Sequence, residues 1–100
     1  MNYVYRGVIG SLGVFPPVFT IDSDDEWRLT VKLGPLESNN ILIIRVNNRT
    51  LITRRVKSFD TVSVAFHSNG STNVYISLER GSTSAYAVLA PSIVAKNLNI

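Results

Sequence analysis

The sequence contains no cysteine, so disulfide frameworks and thiolate metal sites are both excluded. It is also short of charge. Asp, Glu, Lys and Arg make up 17% of the residues, against about 25% in an average soluble domain. No run approaches the roughly 20 apolar residues that cross a bilayer as a helix. Arg6 followed by an apolar stretch imitates a secretory signal, but Gly7, Gly10 and Gly13 dilute it, Pro16-Pro17 ends it, and no small-residue cleavage site follows. No signal peptide and no membrane span are expected. Phosphate loops, Gly-x-Ser-x-Gly elbows and His-rich metal motifs are all missing, and the single histidine, His67, ends a strand beside the Asn69-Gly70 turn, where a lone histidine reads as solvated or structural rather than catalytic. The expectation is a protein that is not an enzyme and carries no cofactor.

What remains is apolar and neutral-polar. Hydrophobic residues are 45% and the mean hydropathy is +0.16. The polar remainder is dominated by 11 Ser, 9 Asn and 7 Thr. A hydroxyl- and amide-rich surface is easier to desolvate than a charged one. This composition points to a homo-oligomer or a larger protein assembly, because interface cores are depleted of charge. The net charge of +3 permits nucleic-acid contact without demanding it.

One hundred residues make one domain, 1–100. Val (12) and Ile (9) are abundant, and apolar residues alternate along much of the chain. Strands are expected over 3–9, 14–21, 26–33, 41–46, 50–57, 61–67, 73–79, 83–90 and 93–100. The second is confined to an edge or bulge by its prolines. A single helical turn near 90–96 is the one helical expectation. Asp22 to Asp25 reads as a loop, Asn47-Asn48 as a tight hairpin turn, and Asn69-Gly70 as a type I′ turn. About eight short strands with turns every 8–12 residues give an all-β antiparallel β-sandwich or barrel, jelly-roll or immunoglobulin-like.

Two charged clusters stand out. Asp22, Asp24, Asp25 and Glu26 hold four of the seven acids. Asp22 and Asp24 could give two oxygens to a hard cation, but the glycine and distal glutamate of a calcium loop are missing, so no metal is expected. Arg45, Arg49, Arg54, Arg55 and Lys57 hold five of the ten bases. Alternation puts Arg54 on the face opposite Arg55 and Lys57, and no aromatic interleaves with them for base stacking. Such charge also serves to block unwanted pairing at a sheet edge. Tyr3, Tyr5, Tyr75, Tyr86 and Trp27 are candidates for a sugar-stacking platform. Tyr75 lies opposite its strand's apolar set, and Trp27 shares the face of Leu29 and Val31, which reads as core. Two glycosylation sequons, at Asn48 and Asn69, matter only in a eukaryotic secretory setting.

The reading is a non-enzymatic structural subunit acting by self-assembly, with a viral or phage particle as its setting and the virion as its location in that case. The acidic cluster, the basic hairpin and Tyr75 are the expected contacts. The alternatives are a nucleic-acid or polyanion-binding module using the 45–57 hairpin, which is not favoured, and a carbohydrate-binding module.

Overall fold

The computed structural model describes residues 2–98. Six strands, β1 (Tyr3–Ile9), β2 (Phe19–Leu33), β3 (Asn40–Val46), β4 (Arg49–Val56), β5 (Thr61–Leu78) and β6 (Thr83–Pro91), are followed by one helix, α1 (Ser92–Leu98), and burial alternates along much of each strand except the mostly exposed β4. All strand pairs are antiparallel, in the order β1-β6-β2-β5-β3-β4. The expected all-β antiparallel class holds, in a jelly-roll-like form.

The expected count of about eight short strands is corrected to six, two of them long. β2 absorbs the acidic segment, and β5 absorbs Asn69-Gly70. A type I′ turn needs positive φ at both central residues. Here Gly70 has φ 83°, while Asn69 is not among the residues with positive φ. One left-handed residue bends a strand; two would have reversed it. Asp24 therefore pairs with Asn69 and Ser23 with Gly70, inside a ladder running unbroken from Phe19↔Val74 to Lys32↔Thr61.

Each long strand changes neighbours at this corner. Trp27–Leu33 of β2 pairs with β6, whereas Val74–Leu78 of β5 pairs with β3. The sheet thus divides into two four-stranded halves that share β2 and β5. Their inner faces meet in one core, with Leu29, Val31 and Leu89 from one half and Leu42, Ile44 and Leu78 from the other, all fully buried. Burying such a side chain is worth roughly 1.5–3 kcal/mol each. The Leu78 amide donates to the Gly10 carbonyl at 2.8 Å, and Ser11 bridges Leu78, so the segment after β1 closes the sandwich against β5.

Three further expectations need correction or refinement. The strand expected over 93–100 is helix as far as Leu98, and its last two residues lie outside those described. Pro91 ends β6 and α1 begins at Ser92; buried Ala95 seats the helix, which packs on β2 and β6. The expected strand over 14–21 begins only at Phe19, past the two prolines. The 41–46 run, apolar throughout except for Arg45 and so expected to be buried on both faces, is buried on its Leu42 and Ile44 face but only half-buried at Ile41 and Ile43. The Asn47-Asn48 turn forms as expected, with Asn47 at φ 55° and its side-chain oxygen accepting from the Asn73 amide at 2.9 Å. Among the described residues no helix is long and apolar enough to cross a membrane.

Candidate functional site

The acidic segment lies on a strand, not in a loop. Side chains at Asp22, Asp24 and Glu26 point outward from β2. Glu26 faces His67 across the ladder, and the imidazole is held between two carboxylates. Its Nδ1 lies 2.7 Å from Glu26 Oε1 and its Nε2 lies 2.7 Å from Asp24 Oδ1. A neutral ring can donate to only one of them, so both contacts together require the imidazolium. The hydrogen bond to Glu26 is the largest influence on His67 and raises its pKa above the ordinary value; desolvation opposes it, and the charges of Glu26 and Asp24 and the hydrogen bond to Asp24 add to the rise. Both ring nitrogens face acids and neither faces a hydroxyl nucleophile. Asp25, one residue along, accepts the Glu26 amide on its own Oδ1 at 2.8 Å.

This geometry has a measurable consequence. An NMR titration of the His67 ring should give a midpoint above the ordinary imidazole value of about 6.5. Because the folded value is raised, the stabilisation is complete at pH below the unfolded-state value and is lost as pH rises through the folded one. Glu26→Gln should lower the midpoint more than Asp24→Asn does. A wild-type midpoint at or below the ordinary value would show that the two contacts do not form.

The basic hairpin does not reach the acids. Among the described residues its five cations make no salt bridge, the three ion pairs being His67 with Asp24, His67 with Glu26, and Arg80 with Glu79. The Arg45 guanidinium lies 4.7 Å over the Tyr75 ring, and its Nε is buried without a hydrogen-bond partner. Arg54 pairs across from Leu42 and Arg55 from Ile41, so the two stand on opposite faces of edge strand β4. Lys57 lies just past the strand end and is exposed. No continuous cationic stripe results. Arg49 and His67 do share a surface cleft of 380 Å³ with Asn47, Asn48, Asn69 and Thr72.

The candidate stacking rings are mostly taken. Trp27 is core, with its indole N–H donating to Ser68 Oγ at 2.8 Å and Tyr3 packed on its ring. Tyr75 is half-buried under Arg45, and Tyr86 carries the Arg6 guanidinium 4.5 Å over its ring. The free ring is Phe59, which sequence reasoning passed over as part of a short connection. It is 63% exposed, at the tip of the β4–β5 turn, with φ 66°. Bulky residues rarely adopt that left-handed conformation, because Cβ crowds the following carbonyl.

The turn is fixed from every side. The Phe59 amide donates to the Gly34 carbonyl, and the Lys57 amide donates to Asp60 Oδ2. Ser58 Oγ accepts from the Leu36 amide and donates to the Leu36 carbonyl. The β2–β3 loop that holds this turn continues into a polar cleft of 330 Å³, lined by Glu37, Ser38, Asn40, Arg80, Gly81 and Ser82. Arg80 is braced there on Glu79, Ser38 and the Asn39 carbonyl. An exposed apolar ring and a hydrogen-bonding shelf thus share one end of the sandwich. Among the described residues no group of three or more His, Cys, Asp or Glu side chains could hold a metal ion.

The chain matches no protein-family model and no curated protein. Its fold is similar to that in a Podospora anserina GH26-CBM35 β-(1,4)-mannanase, with a TM-score of 0.60 and 13% identity, over 90% of this chain and 27% of that one. The likeness falls on the CBM35 jelly-roll-like domain. At this identity it establishes the fold alone, and the chain spans about a quarter of the protein it resembles.

Proposed function

We propose that this protein is a non-catalytic carbohydrate-binding module whose site is the loop end that carries Phe59. The observation behind the reading is the exposed ring held rigid in a strained turn. Strain of this kind persists only where surrounding structure imposes it, and it concentrates at binding sites. The ring gives a pyranose an apolar face to stack on. The Glu37, Ser38 and Arg80 shelf offers donors and acceptors for hydroxyl groups, in a cleft within the size range of small-ligand sites. The fold likeness to a mannanase's carbohydrate-binding module is consistent with this reading, and β-1,4-mannan is the first ligand to try.

The test is affinity electrophoresis through soluble mannan, xylan and β-glucan, for the wild type and for Phe59→Ala. Wild-type retardation by at least one polymer, lost in the variant, is expected; wild-type migration unaffected by all of them would sink the proposal. The polyanion alternative lacks a comparable feature, since Arg54 and Arg55 face opposite ways. The assembly reading, with a virion as one setting, has the low-charge composition behind it and the acidic cluster, the basic hairpin and Tyr75 as its contacts.

A further inference from the structure

The sheet ends on two edges, and the sequence treats them differently. β4 carries Arg49, Arg54 and Arg55, and its ladder with β3 is broken by a register shift at Ile44/Arg45. Charge and bulges are the ordinary means of keeping a foreign strand away from an edge. β1 has neither. It pairs with β6 on one side only, over the unbroken register Tyr3↔Leu89 to Ile9↔Thr83. Its one charge, Arg6, is folded back over Tyr86 on β6 and so leans away from the open side.

The apolar exposure follows the same division. Val4 and Val8 are 54% and 48% exposed on the outer face of β1. Leu12, Val14 and Phe15, in the segment that leaves the strand, are also exposed, and the Phe15 ring lies against Gly10 one residue past β1. Five of the eight large exposed hydrophobic residues among those described therefore lie in Val4 to Phe15. A concentrated apolar rim marks a contact surface, whereas scattered exposed residues do not.

We infer that β1 pairs antiparallel with β1 of a second copy, joining two six-stranded sheets across a two-fold axis. Charge selects this partner among the available edges. Pairing β1 with β4 of another copy would bring Arg6 toward Arg49, Arg54 and Arg55, whereas two β1 strands bring together only the two Arg6 residues. A register with Arg6 on the axis would set those directly opposite each other, which is destabilising. Moving the axis to Tyr5 keeps Tyr3 to Gly7 of each strand paired and sets Val4 opposite Arg6. Tyr3 then pairs with Gly7, whose open face is covered by the Tyr5 ring of its own strand. Each contact occurs twice, as an isologous interface requires. The inference is independent of the carbohydrate reading, because Phe59 lies on the β4–β5 turn and not on β1.

Light scattering after size-exclusion chromatography tests it. The wild type should elute near twice the 11.0 kDa chain mass, at low and high salt alike, because the contact is backbone and apolar. Val4→Lys with Val8→Lys should return it to the single-chain mass with unchanged circular dichroism, since both side chains already stand half in water. Amide exchange gives a second measure on the unmodified protein, in which the β1 amides should slow as concentration rises. A wild-type monomer at every concentration overturns the inference. So does a dimer that survives the double substitution, or one whose β1 amides exchange as fast as at high dilution.

Discussion

Trp27→Ala is expected to destabilise the protein by about 3–5 kcal/mol, the range for deleting a buried aromatic ring. In a domain of this size that is a fall in Tm of roughly 15 °C or more. The position explains the size of the effect. Trp27 is the first β2 residue past the corner where the two halves of the sheet join. It is 4% exposed, in contact with Tyr3, and its indole N–H donates to Ser68 Oγ. Ser68 in turn donates to the Ser23 carbonyl at 2.7 Å and accepts from the Asp25 amide at 3.3 Å. One buried serine on β5 thus holds three residues of β2 at the bend. Ser68→Ala should cost about 1–3 kcal/mol, because it leaves the buried indole N–H unpaired. Trp27→Phe should fall between wild type and Trp27→Ala, keeping part of the packing and losing the hydrogen bond. Urea denaturation of the three variants checks the order. A Trp27→Ala loss below about 1 kcal/mol would mean that the ring is not core.

The same corner shows why the sequence misleads there. Strands are legible where inward positions are apolar, and β1, β3, β4 and β6 lie within a residue of their expected bounds. At the bend the inward positions are Ser23, Ser68, Gly70 and Thr72, and Asp25, on the same side of β2, is exposed. The two halves diverge from a common core at that point, so small polar groups replace leucines and valines: Ser68 Oγ bonds to β2, while Ser23 Oγ is buried without a partner. Read along the chain, Asp-Ser-Asp-Asp and Ser-Asn-Gly-Ser look like two turns. Read across the ladder, they face one another, and the cross-strand partner of each is a long-range fact that local alternation cannot carry.

The candidate site is hidden for a different reason. Glu26 and His67 are 41 residues apart and become neighbours only through the β2–β5 register. Phe59 gave no signal because exposure and backbone φ are not encoded by residue type. One local hint exists, since an aromatic between Ser58 and Asp60 is an odd choice for a turn that Gly or Asn would fill without strain. The charged clusters are legible as clusters, and within the chain they do not meet. Asp24 and Glu26 are engaged with His67, and the arginines of β4 stand where edge-blocking charge belongs.

Phe59→Gly should abolish carbohydrate binding while leaving the fold at least as stable. Two opposing terms set the stability change. Relieving the left-handed conformation is worth about 1–2 kcal/mol, and the added freedom of glycine in the unfolded chain costs about 0.5–1 kcal/mol. The ring is mostly in water, so its removal takes little packing away. The net expectation is a gain of up to about 1 kcal/mol. Phe59→Ala removes the ring but keeps a Cβ in the strained turn, so its stability should match wild type while its binding matches Phe59→Gly. Loss of the stacking face should weaken affinity roughly tenfold or more. Calorimetry with the retarding polysaccharide and thermal denaturation of all three proteins read both quantities at once. Binding that survives both substitutions would remove Phe59 from the site. A large stability loss in Phe59→Ala would show that the ring packs against the fold, leaving the strained turn a structural explanation. A variant that grows more stable as it loses its ligand is the outcome that separates a ring kept for binding from one kept for folding, because natural cores do not place a bulky side chain in that backbone region to gain stability.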